Sequence, residues 1–394
     1  MTDIVSFTGL GLSFEINRVA FSIGKFDVYW YGLLIGLGML IAFVYAMQNA
    51  NKFGVDVDRM LDVVLVGAIF GIVGSRLYYV IFAEKGEFTS FFDIIDIRNG
   101  GLAFYGTVIG AAVAALIMCP LRKVKLFPML DISGIGLLIG QCVGRWGNFF
   151  NQEAFGCNTN LPWGMTSSTV VRYLTFNADT IAEHGMSVDP LAAVHPTFLY
   201  ESIWYLIGTI ILVKYAKKRK FDGEIALIYL AWNGAGRAVF EGLRTDSLYL
   251  GSIRISQLLA ILGFVASVAV IIIVRTKIKK SDEPSRYIPY GNSEEWAKEL
   301  SELNAERDGK AKADDAGMQT EQNDVFDDEA ERELETDESA EPAQPERELA
   351  EWEKIVEEWV SLAKLVTVVD NDIPTNPEVN KDTFWSIVEE WIKQ

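Results

Sequence analysis

Over the first 280 residues, apolar runs of bilayer length alternate with polar loops. The runs fall at roughly 29–48, 61–83, 101–119, 129–146, 197–214, 223–242 and 255–275. A helix needs about 20 apolar residues to cross a bilayer. Inside lipid each backbone N–H and C=O must be paired within its own segment, so every run predicts a helix. The first 20 residues lack a basic start followed by an apolar core, so no cleaved signal peptide is expected. The expected fold class is all-α and polytopic, with seven transmembrane helices and an extracytoplasmic head segment over 147–196.

Loop charge predicts the orientation. Lys52 and Arg59 follow the first run, and Arg122, Lys123 and Lys125 follow the third. Lys214, Lys217, Lys218, Arg219 and Lys220 follow the fifth, and Arg275, Lys277, Lys279 and Lys280 the seventh. Basic loops stay in the cytoplasm. The N-terminus is therefore expected outside and the C-terminus inside.

Charge then divides the chain. Its formal net charge is −18, yet residues 281–394 hold 33 acidic and 11 basic residues, so residues 1–280 are faintly basic. Two regions are expected: a seven-span membrane domain over 1–280 and an acidic, largely disordered cytoplasmic tail over 281–394 with short amphipathic helices. Basic clusters confined to short loops argue against a nucleic-acid partner. Three cysteines (Cys119, Cys142, Cys157) do not make a disulfide scaffold. Two histidines, His184 and His195, with no clustered thiols give no metal site. Stretch 308–349 is acidic with almost no aromatics and is expected to be disordered. Trp352-Glu-Lys-Ile-Val-Glu-Glu-Trp359 and Trp385-Ser-Ile-Val-Glu-Glu-Trp391 form a near-repeat. It reads as weak amphipathic helices or as a docking motif for a basic cytoplasmic partner. Deleting 285–394 is expected to leave catalysis intact.

A charge at the centre of a membrane helix costs about 2.5–3.5 kcal/mol on insertion scales and so faces a cavity or a partner. Arg76, Asp131, Arg145, Glu153, Glu201, Arg237, Glu241 and Arg244 lie in or near the runs. Arg237 and Glu241 are four apart and share a helix face. Mutual neutralisation alone would account for that pair. The stretch Gly144-Arg-Trp-Gly-Asn-Phe-Phe-Asn-Gln-Glu-Ala-Phe-Gly156 combines Arg145, Asn148, Asn151 and Glu153 with glycines that permit close backbone approach. An arginine fork beside amide donors suits a phosphate. The structural alternative is a capped helix end with an Asn–Glu network. His195-Pro-Thr-Phe-Leu-Tyr-Glu201 opens the fifth run, where a lone histidine is more often structural than catalytic. Arg98-Asn-Gly-Gly-Leu-Ala-Phe-Tyr-Gly106 leads into the third, its glycines exposing N–H groups to an anion. Tyr105, like Tyr29, Trp30 and Tyr31, reads equally as an interfacial aromatic. Arginines gathered toward the outer half of the bundle suit an anionic lipid headgroup.

Residues 14–275 resemble the prolipoprotein diacylglyceryl transferase family. The likeness is carried by Phe21-Ser-Ile-Gly24, Tyr29-Trp-Tyr-Gly32, Gly74-Ser-Arg-Leu-Tyr78, Gly100-Gly-Leu-Ala-Phe-Tyr-Gly106 and, most specifically, Gly144-Arg-Trp-Gly-Asn-Phe-Phe-Asn-Gln-Glu153 with Gly156. His195-Pro-Thr-Phe-Leu-Tyr-Glu201, Arg237-Ala-Val-Phe-Glu241 with Arg244, and Arg254-Ile-Ser-Gln257 complete it. The resemblance implies an enzyme of the bacterial cytoplasmic (inner) membrane. That enzyme transfers the diacylglyceryl group of phosphatidylglycerol to the lipobox cysteine of a prolipoprotein signal peptide, forming a thioether and releasing glycerol-1-phosphate. No cofactor or metal is implied.

Arg145 and Arg237 match the family's essential arginines. Tyr31, Asn148, Glu153, Gly156, Glu241 and Arg244 match its other important positions, and Asn151 joins them as a phosphatidylglycerol contact. His195, Glu201 and Arg76 are candidates for a base or a supporting shell. Two positions depart from the family pattern: Tyr105 stands where a histidine is usual, and Asn233 where a tyrosine is. A phenol with a pKa near about 10 is a poor base at neutral pH. Tyr105 acts as a phenolate or relay, or His195 or Glu153 takes the thiol proton, or arginines alone ionise the thiol. We favour the last, with Tyr105 positioning the phosphate. The rival class is a transporter or flippase for anionic phospholipid, which usually carries internal repeats; none is visible in 1–280.

Overall fold

The computed structural model describes residues 2–309 apart from 25, 84–87, 89–90, 97–99, 246–248 and 251–252. Both tryptophan repeats and nearly all of 308–349 lie outside the described residues. The described residues divide into two compact units, one taking in those up to Phe70 and those from Ala111, the other Gly71–Gly110.

Helices dominate, as the apolar runs require. They are α1 (Trp30–Phe53), α2 (Val57–Phe82), α3 (Phe91–Ile95), α4 (Phe104–Leu121), α5 (Leu126–Asn151), α6 (Ser168–Glu183), α7 (Thr197–Ala216), α8 (Glu224–Phe240) and α9 (Ile255–Lys280). Six of them, α1, α2, α4, α5, α7 and α9, are long and apolar enough to cross a membrane. The seventh expected span falls short. Helix α8 has 17 residues, about 26 Å at 1.5 Å per residue, against a hydrocarbon core of about 30 Å. Gly223 precedes it with φ 94°, and turns begin at Glu241. Helix α9 carries no charged residue from Ile255 to Val274, and among its residues only Ser267 is buried, as expected where lipid is the solvent.

The expectation of an all-α fold is corrected by short strands. In one sheet β1 (Thr2–Phe7) pairs antiparallel with β2 (Leu12–Asn17) and with β5 (Met165–Thr166). Two hairpins join β3 (Val19–Ile23) to β4 (Phe26–Tyr29) and β6 (Tyr249–Leu250) to β7 (Ile253–Arg254). Leu12-Ser-Phe-Glu-Ile-Asn17 alternates with the period of two that a strand demands, too briefly to compete with the membrane runs. Val5, Phe7, Ile16 and Met165 pack with Val170, Leu174 and Ile181 of α6 and with Phe155, Val194 and Phe198. This gives the head a core of its own. Ser167 Oγ accepts from Val170 N at 3.2 Å, and the Asp3 carboxylate accepts from Ser168 and Thr169, so the start of α6 is capped twice. Partial burial pushes the Asp3 carboxyl up, but those hydrogen bonds outweigh it and hold the pKa at about 2.

In the larger unit α5 is the hub, packing on α1, α7 and α8, while α8 also packs on α9. The core gathers Ile132, Ile135 and Leu138 with Tyr205, Leu212, Ile225 and Phe53. Asp131, fully buried in α5, accepts from Gly223 N and Ala226 N at 2.9 Å each. One charge that looked costly therefore caps α8. Trp204 of α7 and Trp232 of α8 stack 4.2 Å apart. Each indole N–H donates to the other's carbonyl, at 3.1 and 3.0 Å, and each ring lies on a glycine of the opposite helix, Gly236 and Gly208. Small residues let membrane helices approach in this way.

The compositional boundary at 280 marks the end of α9 but not the end of the packing. Residues 294–309 form a further helix. Tyr290 and Trp296 are buried; Tyr290 N donates to Asp222 Oδ2 at 2.9 Å, and Trp296 Nε1 to Asn51 O at 2.9 Å. Glu299 pairs with Arg59 at 2.6 Å and Arg307 with Asp56 at 2.5 Å. Gly291 sits against the Lys52–Gly54 backbone with no room for a side chain. The first part of the acidic tail is thus folded onto the basic loops.

In the smaller unit, a Cβ at Gly74 would lie 2.5 Å from Gly106 O and 3.1 Å from Gly110 Cα. Backbones of α2 and α4 therefore touch there, which only glycine allows.

Candidate active site

Helix α5 ends in a reversal that creates the first part of the site. Gln152 and Ala154 both adopt left-handed backbone, at φ 55° and 56°, a conformation uncommon without glycine. The turn brings Glu153 N back to Asn148 O at 3.1 Å. The Glu153 carboxylate then accepts from Asn148 Nδ2 at 2.9 Å and from Asn151 Nδ2 at 3.2 Å. The capped Asn–Glu network is what the structure contains. Arg18 donates to Asn151 O at 2.8 Å, and Tyr31 packs on Gly147, where a Cβ would meet its ring at 2.8 Å. Tyr31 lies within electrostatic reach of both Glu153 and Arg145.

Each site arginine is held by a buried glutamate. Arg145 Nη2 of α5 is 2.5 Å from Glu201 Oε2 of α7, and Arg237 Nε of α8 is 2.9 Å from Glu241 Oε2. Glu201 and Glu241 are 1% and 2% exposed, Arg145 and Arg237 17% and 31%. Tyr205, one turn after Glu201, lies against Arg145, whose Cζ is 5.9 Å from its ring centroid. Sequence reasoning missed it, although Glu201 and Tyr205 stand four apart on one helix face. It also missed Ser202, which accepts from Trp146 Nε1 at 3.1 Å and donates to Cys142 O at 2.9 Å, tying α7 to α5. Asn233 accepts from Gln141 Nε2 at 3.5 Å.

Three chain segments meet at Gly156. Its N–H donates to His195 O at 2.9 Å, Cys157 N donates to Leu243 O at 2.7 Å, and Gly156 pairs with Arg244 as an antiparallel bridge. A Cβ at Gly156 would meet His195 Cβ at 2.8 Å, so a side chain is excluded. Arg254 Nη1 donates to Glu241 O at 2.7 Å, fastening α9 to the end of α8. His195 Nδ1 is 3.2 Å from Tyr200 OH, and Trp163 Nε1 donates to the same phenol oxygen at 2.7 Å. Burial lowers the His195 pKa below its ordinary 6.5, so the ring is neutral at pH 7 and engaged on Nδ1.

The smaller unit holds the remaining candidates. Arg76 donates to the carbonyls of Asp93, Ile94, Gly100 and Gly101 at 2.7, 2.9, 3.0 and 3.0 Å. Its guanidinium therefore organises the loop that enters α4. Gly100 and Gly101 adopt φ 82° and 73°. Tyr105 follows on the first turn of α4, 39% exposed, with its ring centroid 6.3 Å from that of Tyr78.

Tyr31, Arg145, Asn148, Asn151, Glu153, Glu201 and Arg237 are thus gathered in the larger unit, with Glu241, Gly156, Arg244 and His195 on the segments that fasten it. Chemically, paired guanidinium groups with fixed edges suit a phosphodiester.

The sequence profile of a family described as prolipoprotein diacylglyceryl transferase matches residues 18–273. Relatives named phosphatidylglycerol–prolipoprotein diacylglyceryl transferase include one from Finegoldia magna, 40% identical over 269 residues, which cover 68% of this chain and 100% of the relative. One from Clostridium perfringens is 42% identical over 267 residues, 67% of this chain and 97% of the relative. One from Bacillus cereus is 38% identical over 280 residues, 71% and 98% respectively. With most of its membrane helices and every segment of the arginine site inside that match, the chain belongs to the prolipoprotein diacylglyceryl transferase family.

Proposed function

We propose that this protein transfers the diacylglyceryl group of phosphatidylglycerol to the lipobox cysteine of a prolipoprotein, the first step of lipoprotein maturation. The observation that carries the reading is the pair of glutamate-held arginines, Arg145 with Glu201 and Arg237 with Glu241, in a member of this family. The cysteine sulfur attacks the glyceryl carbon bonded to phosphate oxygen. A C–S bond forms, the C–O bond breaks with its electron pair on oxygen, and glycerol-1-phosphate leaves. Arg145 and Arg237 stabilise the charge developing on the phosphate oxygens. Their field also lowers the pKa of the attacking thiol from about 8.5, so the arginines suffice to ionise it. Tyr31 and Glu153 with its two asparagines line the headgroup site and His195 supports it structurally, while within the smaller unit Arg76 shapes the loop that carries Tyr105.

The membrane arrangement follows. Helix α8 serves as the seventh crossing, a reading supported by Tyr290, beyond α9, bonding Asp222 just before α8, as when α8 and α9 run out and back. The N-terminus, the head and the arginine site face the extracytoplasmic side of the cytoplasmic membrane, and the basic loops and tail face the cytoplasm. A cytoplasmic partner would meet the tail.

Incubation of the purified protein with phosphatidylglycerol vesicles and a lipobox peptide tests the proposal. Mass spectrometry should find the thioether, and Arg145→Gln or Arg237→Gln should abolish it. Lipid movement without product would support the flippase instead.

A further inference from the structure

Ser202 stands next to Glu201 on α7 and is buried. Its hydroxyl accepts from Trp146 Nε1 at 3.1 Å and donates to Cys142 O at 2.9 Å. Cys142 and Trp146 are four apart on α5, one above the other on the same face, and Arg145 falls between them in sequence. One hydroxyl therefore bridges successive turns of α5 beside the place where Glu201 meets Arg145. Other hydroxyls in these helices are used differently: Thr209 of α7 and Ser133 of α5 donate to carbonyls four residues back in their own helices. Helices in lipid gain little from burying apolar faces against each other, so directional bonds between them help set which residues stand opposite. Thr197, one turn before Glu201, donates to Ala154 O and anchors the start of α7 separately.

We infer that Ser202 is a positioning residue for the transfer reaction: its hydroxyl sets the register of α7 on α5, so that Glu201 holds the Arg145 guanidinium where the phosphodiester meets it. The inference rests on the reading of Arg145 as part of the phosphate grip. Without the bridge α7 shifts along α5, and Glu201 carries the guanidinium with it. Charge on the phosphate oxygens grows as the C–O bond breaks. A displaced guanidinium therefore loses more in the transition state than in the ground state, and the loss appears in kcat.

The test uses the full chain in phosphatidylglycerol vesicles with a lipobox peptide, comparing wild type, Ser202→Ala and Ser133→Ala. Ser133 lies about 18 Å from Arg145 along α5 and bonds within that helix, so it controls for loss of a helix hydroxyl as such. Ser202→Ala should lower kcat about fivefold, the worth of one neutral hydrogen bond, and leave KM for phosphatidylglycerol within about twofold. Ser133→Ala should change neither. Unchanged kcat in Ser202→Ala, with or without a raised KM or a lowered thermal midpoint, would overturn the inference, and so would an equal fall in Ser133→Ala. Ser202→Thr and Ser202→Val supply a second comparison: the two side chains share a shape and differ in the hydroxyl. Threonine should retain the higher kcat, and equal values would count against the assignment even if Ser202→Ala did not fold. A wild-type chain that makes no thioether would defeat the functional reading itself. Turnover by wild type that Ser202→Ala matches would defeat only the role of Ser202.

Discussion

Arg145 of α5 and Glu201 of α7, 56 positions apart in the chain, meet at 2.5 Å in a place where the glutamate is 1% exposed and the arginine 17%. Removing one partner of such a buried pair strands the other's charge, a loss of about 3–5 kcal/mol. Glu201→Gln should therefore lower the thermal unfolding midpoint and the transfer rate together. Glu241→Gln should cost less stability, since its partner Arg237 is 31% exposed and keeps part of its hydration. Unfolding scans of the two variants in detergent decide the order; a smaller loss for Glu201→Gln would contradict it.

The glycines under the stacked tryptophans make a second case. A Cβ at Gly236 would run into the Trp204 indole, which cannot swing away without losing its stack on Trp232 and its bond to the Trp232 carbonyl. Overpacking of this kind costs about 1–3 kcal/mol. Gly236→Ala should destabilise by that amount. Gly36→Ala, where nothing lies within 4 Å of the added carbon, should be neutral or mildly stabilising. The two thermal midpoints compare them directly, and equal values would mean that α7 and α8 separate easily.

Much of this was legible in the sequence because hydropathy reports which segments prefer lipid. Six of the seven runs became helices of spanning length, and the Gly144–Gly156 motif folded as a single turn-bounded unit. What hydropathy could not report is partnership. Asp131 and Arg237 look alike to a membrane scale, yet one caps a neighbouring helix and the other pairs within its own. Tyr205 was hidden because tyrosine in an apolar run reads as packing. The head strands were hidden because six-residue alternation is weak beside 20-residue runs. In the tail, net acidity masked Trp296, Leu300 and Leu303, whose spacing of four and three is that of a helix face.

His195 carries a pH signature. Burial depresses its pKa below 6.5, so the unfolded chain binds the imidazole proton more readily than the folded one. The associated stability is present above about 6.5 and is lost as pH falls through that value toward the depressed one. Wild type should lose more stability than His195→Gln between about pH 7.5 and about pH 5, read as thermal midpoints at both. Parallel behaviour of the two proteins would show that His195 does not titrate with folding.

The docked tail separates two truncations that composition alone would treat as one. A chain ending at Gly309 keeps Tyr290 and Trp296 in place; one ending at Asp282 loses both, 7% and 4% exposed as they are. Full burial of a large apolar side chain is worth about 1.5–3 kcal/mol, so the shorter chain should lose about 3 kcal/mol or more and the longer one nothing measurable. The ion pairs of this segment are partly wet, such as Arg59 and Glu299 at 22% and 29%. Aromatic burial therefore dominates, and the difference should persist at high salt, where surface pairs are screened. The expectation that deleting 285–394 leaves catalysis intact concerns activity, and the docking adds to it a stability cost confined to residues 283–309. Thermal midpoints of the two truncations at low and high salt measure this, and a difference that vanishes in salt would reassign the docking to electrostatics.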